Sequence, residues 1–287
     1  MTRKEVIRLA AIGDIHYSRT SQGTLQPLFA HLAESADVLL LCGDIVDYGL
    51  PEEARLFAKE LATAVMKIPV LAVLGNHEYE SDKQEEVRVI LTDAGTIILD
   101  GDAREIQGIG FAGVKGFAGG FGERALQAWG EETIKRFVRE AVNEALKLES
   151  ALAKLRTAQR IALLHYSPIQ ATVEGEPPEI FAFLGSSRLE EPLNRYPVTA
   201  VFHGHAHRGC PEGSTKGGVP VYNVAMPLLQ NAFPERLPFR ILEISTSSAE
   251  SSTPLQPGSA TSLASTTHNQ PDGAHYAICT MSRNARS

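Results

Sequence analysis

The chain reads as an α/β domain. Short apolar runs recur along it, at Val6–Ile12, Val38–Leu41, Val70–Leu74, Arg160–Leu164 and Ala200–Phe202, and segments of helical period lie between them. Each of these runs also closes on a compact polar cluster. Loops at the carboxyl ends of strands are where an α/β sheet builds its site.

Taken in chain order, Val6–Ile12 ends at Asp14-Ile15-His16, and Leu25, Leu28, Phe29 and Leu32 follow at helical spacing. Val38–Leu41 leads to Gly43-Asp44-Ile45-Val46-Asp47, and Leu56, Phe57 and Leu61 mark a second covering helix. Val70–Leu74 runs into Gly75-Asn76-His77-Glu78, with further strands predicted at Thr96–Leu99 and Ile106–Val114. The stretch from Gly108 to Gly113 formally matches the dinucleotide fingerprint. That fingerprint needs glycines between a strand and a helix, and these lie inside a strand-like run, so a nicotinamide site is rejected. Gly116 to Gly122 reads as a loop.

The segment Glu123–Thr157 carries Phe137, Ala141, Ala145, Leu148, Leu152 and Leu155 at three- or four-residue steps. It reads as an amphipathic helix on the core, with a dimer surface or a cap over the site as the alternative. Arg160–Leu164 ends at His165, and Ala200–Phe202 ends at His203-Gly204-His205-Ala206-His207. Between them lies a loop-rich stretch containing Arg188, a candidate for gripping a phosphate oxygen through its guanidinium fork, or else a surface partner of Glu190 or Glu191. Val219–Asn223 and Phe239–Ile244 are the last predicted strands. Residues 1–245 form the expected domain, and residues 246–287, rich in Ser, Thr, Ala, Pro and Gly, form an expected disordered tail in which His268 and His275 have no catalytic role.

The polar clusters supply enough carboxylate, amide and imidazole donors for two adjacent divalent cations. Residues i and i+2 of an extended segment project to one side, so Asp14 with His16, and His205 with His207, can each face one point. Asp44 is the candidate bridge, because each oxygen of a carboxylate can serve a different cation, and such pairs sit roughly 3.5–4 Å apart. Mixed Asp, Asn and His donors suit Mn, Fe, Zn or Co better than an all-oxygen cage for Ca or Mg. His203 reads as structural, or as a hydrogen-bonding support for a ligand. Cys42 and Cys210 read as small buried thiols.

These five clusters, in this order, resemble the calcineurin-like metallophosphoesterase superfamily. The resemblance implies a four-layer αββα arrangement of two mixed sheets flanked by helices. It implies one metal on Asp14, His16, Asp44 and His207, and another on Asp44, Asn76, His165 and His205. It places His77 beside the leaving group as a proton donor, with Asp47 as its orienting partner. The implied chemistry is in-line attack of a metal-bridging hydroxide on the phosphorus of a small phosphomonoester or phosphodiester, nucleotides included. A nuclease and a non-catalytic metal-binding scaffold are the alternatives. Tyr48 follows Asp47 where protein Ser/Thr phosphatases of that superfamily carry Arg, which counts against a protein substrate.

Of the 287 residues, 43% are hydrophobic and 21% charged, ordinary values for a globular chain with a full core. No apolar run reaches the roughly 18 residues of a membrane span. The three cysteines form no disulfide framework, and the start of the chain shows no signal segment, so the expected location is the cytoplasm. A net charge of −7 and the lack of a basic run disfavour nucleic acid as a partner and favour a small phosphorylated substrate. Nothing in the sequence indicates an oligomeric state.

Overall fold

The computed structural model describes residues 5–65 and 68–246. Two mixed sheets lie face to face, with helices on both outer surfaces. The first is built from β1 (Val6–Ile12), β2 (Val38–Cys42), β3 (Val70–Val73), β4 (Thr96–Ile98) and the late strand β11 (Arg240–Ser245), in the order β11-β1-β2-β3-β4. The second has the order β5-β6-β7-β8-β10-β9, from β5 (Asp102–Ile106), β6 (Ile109–Gly113), β7 (Gln159–Leu163), β8 (Ala200–His203), β9 (Glu212–Ser214) and β10 (Pro220–Asn223). Strands β1 to β4 are mutually parallel, as are β6, β7, β8 and β10, whereas β11, β5 and β9 pair antiparallel at the margins.

Pleat alternation sorts the apolar runs into layers. Leu9, Ala11, Leu40, Leu71 and Val73 face Ile109, Phe111, Ile161, Leu163 and Phe202 across the space between the sheets. The alternate residues Ala10, Ile12, Leu39, Leu41 and Ala72 pack outward against α1 (Gln26–Ser35), α2 (Pro51–Val65) and α3 (Gln84–Asp93) through Phe29, Leu32, Phe57, Leu61, Val87 and Leu91. On the other side, Ala112, Ala162, Leu164 and Val201 meet Leu148, Ala151 and Leu152 of α4 (Glu132–Lys154), with Leu193 of α6 (Glu190–Arg195). Burial on both faces explains why the central strands are continuous apolar runs. A fully buried Phe111 or Phe202 contributes about 1.5–3 kcal/mol through removal from water. A short α5 (Phe181–Leu184) and α7 (Met226–Ala232) complete the elements.

Two predicted elements are corrected. Ile106–Val114 is two strands, because Gln107 and Gly108 both take positive φ (53° and 85°) and make a two-residue hairpin turn between β5 and β6. Gly110 and Gly113 sit inside β6, where an added Cβ would come within 2.4 Å of Thr157 Oγ1 and 2.8 Å of Val73 Cγ1, so close packing accounts for them. The long helix begins at Glu132 rather than Glu123; Gly130, at φ 69°, turns the chain into Glu131, the extended residue ahead of α4. Thr246 donates from its backbone to the Glu5 carbonyl at 2.9 Å and so continues the sheet pairing. The rest of the expected tail, residues 247–287, lies outside the described residues.

Candidate metal centre

The carboxyl ends of β1, β2 and β3 in one sheet and of β7 and β8 in the other open on one crevice. Backbone bonds stitch the loops together: Asp14 N–H donates to the Gly43 carbonyl (3.0 Å), His16 N–H to the Asp44 carbonyl (3.0 Å), and Gly204 N–H to the His165 carbonyl (3.1 Å). Asp14, His16, Asp44 and His205 all adopt left-handed backbone, with φ of 54°, 47°, 46° and 69°. Asp14 and His16 therefore converge through tight turns, not through the pleat of an extended strand. Such conformations cost of order 1–3 kcal/mol each in a residue other than glycine and persist where surrounding bonds over-determine them.

Three overlapping groups of donor atoms result, each within 4.8 Å of one another: Asp14, His16 and His207; His16, Asp44 and His77; and Asp44, His165 and His205. Asp44 stands at the junction. Its Oδ1 lies 3.4 Å from His165 Nε2 and accepts the His77 backbone N–H at 2.9 Å, while its Oδ2 lies 3.9 Å from both His16 Nε2 and His77 Nε2. Asp14 accepts the His205 backbone N–H (2.9 Å) and meets His207 Nε2 at 2.9 Å. Asn76 Oδ1 sits 2.9 Å from His165 Nε2.

Backbone carbonyls select the ring nitrogen that His165 and His205 offer. His165 Nδ1–H donates to the Cys42 carbonyl (2.9 Å), leaving Nε2 towards Asp44 and Asn76. His205 Nε2–H donates to the Phe183 carbonyl (3.2 Å), leaving Nδ1. Such outer partners set the tautomer and ring angle of metal-binding imidazoles. His203 is occupied otherwise: Nδ1 bonds the Gly204 carbonyl and Nε2 the Thr172 hydroxyl, both at 2.8 Å, and burial pushes its pKa down to about 4.

The electrostatics suit cations. Asp14 and Asp44 are buried, and an ionised carboxylate out of water needs a positive partner. Burial works against the Asp44 charge, yet His165 and the His77 N–H together hold its pKa well below the usual carboxylate range. Burial likewise opposes a proton on His165, but the Asp44 charge outweighs it and raises that imidazole to about 9. Burial lowers His205 to about 4 and also lowers His16, whose buried Nε2 has no hydrogen-bond partner. The neutral imidazoles of His16 and His205, the buried carboxylates and the orphaned His16 Nε2 facing Asp44 fit divalent metal ligation.

Glycine makes the crowding possible. A Cβ on Gly75 would come within 2.1 Å of Asp44 Oδ1, one on Gly204 within 2.1 Å of Asp14 Oδ2, and one on Gly43 within 2.5 Å of His165 Nδ1. Glu78, fully buried, receives the N–H groups of Ile45, Val46 and Gly75, clamping the Asp44 and Asn76 loops together. Burial raises its pKa to about 7. The sequence motif contains this residue but gives no sign of what its carboxylate holds.

His77 Nδ1–H donates to the backbone carbonyl of Asp47 at 2.5 Å. The Asp47 carboxylate is 4.0 Å from that nitrogen and nearer to His16 Nδ1, at 3.3 Å. Arg188 lies elsewhere: its guanidinium reaches the Leu126 carbonyl (3.4 Å), and the residue lines a groove with Val142, Leu146, Glu149, Glu191 and Arg195. None of the clustered Asp, His and Asn side chains lines that groove. No helix among the described residues is long and apolar enough to cross a membrane.

A family model described as calcineurin-like phosphoesterase matches residues 7–209, which contain every loop of the crevice. Among curated proteins no sequence matches the chain. Among solved structures, the chain is similar to phosphopantetheinyl hydrolase from Mycobacterium tuberculosis, with a TM-score of 0.59 at 17% identity over 82% of this chain and 95% of that one. It is also similar to GAP50, the anchor in the inner membrane complex of Plasmodium, with a TM-score of 0.50 at 14% identity over 78% of this chain and 73% of that one. At these identities the likeness carries the fold alone.

Proposed function

The chain belongs to the calcineurin-like phosphoesterase family and is a metal-dependent phosphoric ester hydrolase, and from that premise we propose that it works with two divalent cations on a small phosphomonoester or phosphodiester, a nucleotide included. One cation is assigned to Asp14, His16, Asp44 and His207, the other to Asp44, Asn76, His165 and His205. Mn, Fe, Zn and Co all suit this mixed donor set. The observation that carries the reading is the placement of Asp44, whose two oxygens lie near different imidazoles, Oδ1 near His165 and Oδ2 near His16.

Bound cations supply positive charge at the phosphoryl oxygens and acidify water enough to yield a nucleophile near neutral pH. The chain's own groups do the rest. Asp14 and Asp44 hold their orientation through the N–H groups of His205 and His77. His77 keeps Nε2 free because Nδ1–H is committed to the Asp47 carbonyl, so a proton on Nε2 is available to the departing ester oxygen. Burial opposes that proton, but the Asp47 carbonyl and the carboxylates of Asp44, Glu80 and Asp47 raise the His77 pKa overall. Asp47 thus acts on His77 mainly through its backbone, with its carboxylate beside His16.

Arg188 is left out of the proposed site, since its guanidinium lies in the groove against α4 and α6. A cytoplasmic setting fits the buried, unbridged thiol of Cys42. The deciding test is hydrolysis of p-nitrophenyl phosphate and bis-p-nitrophenyl phosphate by metal-loaded protein, with bound metal quantified. Turnover that tracks metal content supports the reading and reveals mono- or diester preference. A fully loaded protein inert towards both, and silent in a phosphate-release screen of metabolites, would instead mean a metal-binding scaffold.

A further inference from the structure

The metal centre takes its donors from the loops after β1, β2, β3, β7 and β8, and one more strand, β10, runs parallel to β8 and ends beside it, with Asn223 opposite His203. Its continuation, Val224-Ala225-Met226, crosses from one sheet to the other. Val224 N–H donates to the His203 carbonyl at 2.7 Å, at the end of β8, while the Val224 carbonyl accepts the Gly13 N–H at 2.9 Å, just past β1. Met226 N–H then returns to the Gly13 carbonyl at 2.8 Å. Gly13 precedes Asp14 and His203 precedes Gly204-His205-Ala206-His207, so this single segment spaces two ligand-bearing loops. Those loops also meet directly, because Asp14 accepts the His205 N–H and lies 2.9 Å from His207 Nε2.

Asn223 adds side-chain bonds at the same place. Its amide is 1% exposed, a burial that is costly unless the hydrogen bonds are made, and both its donors and its oxygen are in use. Nδ2 donates to the Ala206 carbonyl at 2.8 Å and to the Thr172 carbonyl at 3.3 Å, and Oδ1 accepts the Ala225 N–H at 3.2 Å. Ala206 stands between His205 and His207, so the amide grips the middle of the turn that carries both imidazoles. Thr172 extends the grip to the loop after β7. Its hydroxyl bonds His203 Nε2 and Ser167 Oγ, each at 2.8 Å, and its carbonyl also accepts the Cys210 N–H at 3.2 Å. An apolar side chain could fill the same space, as Val221 does two residues earlier, but it would withdraw a donor from both carbonyls.

We propose that Asn223 is a positioning residue of the metal centre: it sets the Gly204–His207 turn against Asp14 and so aligns the ligands of the cation assigned to Asp14, His16, Asp44 and His207. The inference rests on the two-cation reading. The side chain bonds none of the donor atoms itself, and acts through the Ala206 carbonyl and, by way of its own backbone segment, through Gly13. The other cation keeps Asp44, Asn76 and His165, none of which bonds to residues 223–226, so the two positions respond unequally when the amide is lost.

Cobalt reports on ligand alignment through its visible absorption, which depends on coordination geometry. Metal-free full-length wild type, Asn223→Leu, Asn223→Ser and Val221→Ala are titrated with cobalt chloride, reading visible spectrum and binding heat, and the metal-free melting temperature of each is measured. Val221→Ala removes core packing from β10 and no hydrogen bond. Wild type is expected to bind two cobalt ions per chain. Asn223→Leu should weaken one of them by at least ~10-fold, the lower end for an outer partner of a metal ligand, with altered visible bands, and leave the other as in wild type. Asn223→Ser, which keeps a shorter donor, should fall between. Val221→Ala should melt earlier yet keep both affinities and the spectrum. Wild-type affinities and bands in the Asn223 variants overturn the proposal, as does a Val221→Ala protein that loses cobalt to the same extent as they do. If Asn223→Leu does not fold, Asn223→Ser decides alone. A wild type that takes up fewer than two cobalt ions overturns the two-cation reading itself, and with it the proposal, before any variant is compared.

Discussion

Asp44 Oδ1 lies 3.4 Å from His165 Nε2, and the two groups are buried together at the junction of the two sheets, one from the end of β2 and the other from the end of β7. Each changes the other: the carboxylate raises the imidazole, and the imidazole holds the carboxylate ionised. Removing one partner of such a buried pair leaves the other charge uncompensated, which is costly.

Asp44→Asn removes the shared charge while keeping the shape. Both cations should be weakened, with bound metal falling well below two per chain and kcat/KM dropping by more than the ~10–100-fold typical of an outer partner of a metal ligand. Elemental analysis alongside initial rates checks this. Full metal occupancy with near-normal rates would remove Asp44 from the bridge.

His77→Ala should leave metal content intact and lower kcat by about 10²–10⁴, the usual size of a general acid contribution. The loss should be larger for an alkyl phosphate than for a p-nitrophenyl ester, whose leaving group departs without a proton. In wild type, activity should fall as pH rises through the His77 pKa, which lies above its ordinary value of 6.5 because Asp47, Asp44 and Glu80 outweigh burial. That falling limb should be missing from the variant's pH profile.

Gly75→Ala probes the crowding around the carboxylate. The new Cβ would stand 2.1 Å from Asp44 Oδ1, so the carboxylate must rotate or the loop must shift. We expect a folded protein by circular dichroism with metal affinity reduced at least ~10-fold, since misplaced ligands lose geometry before the core loses packing.

Removing the metals should expose a pH dependence. His165 is raised from 6.5 to about 9 in the metal-free fold, so its contribution is fully present below 6.5 and disappears as pH climbs through about 9. Metal-free protein is therefore expected to lose melting temperature across that window. Loaded protein should resist the loss, because ligation needs the imidazole neutral and binding releases its proton. A metal-free melting temperature that rises between these two pH values would contradict the coupling.

Much of the layer structure was legible in the sequence for a local reason. Val38 to Cys42 is apolar at every position because both faces of a central parallel strand are covered, and such a run announces itself without any knowledge of its neighbours. The hairpin at Gln107-Gly108 was missed because Ile106 to Val114 reads equally well as one extended run, and only the positive φ of two adjacent residues separates β5 from β6. The start of α4 was missed for a similar reason: the charges from Glu123 onward suit a helix, and the turn at Gly130 comes later.

The sequence by itself determined which donors exist and that they stand at strand ends, because Asp14-Ile15-His16, Gly43-Asp44, Gly75-Asn76-His77 and Gly204-His205-Ala206-His207 are contiguous and chemically distinctive. Only the tertiary structure decided how they are aimed. Left-handed turns at Asp14, His16, Asp44 and His205, carbonyls of Cys42 and Phe183 that select ring nitrogens, and the backbone of Asp47 on His77 all depend on contacts between segments far apart in the chain. Arg188 shows the same division. It is a single cation between motifs, and the fold turns it into a groove beside α4. A side chain's chemistry is local, but the direction in which it can act is set by sheets that bring distant strand ends together.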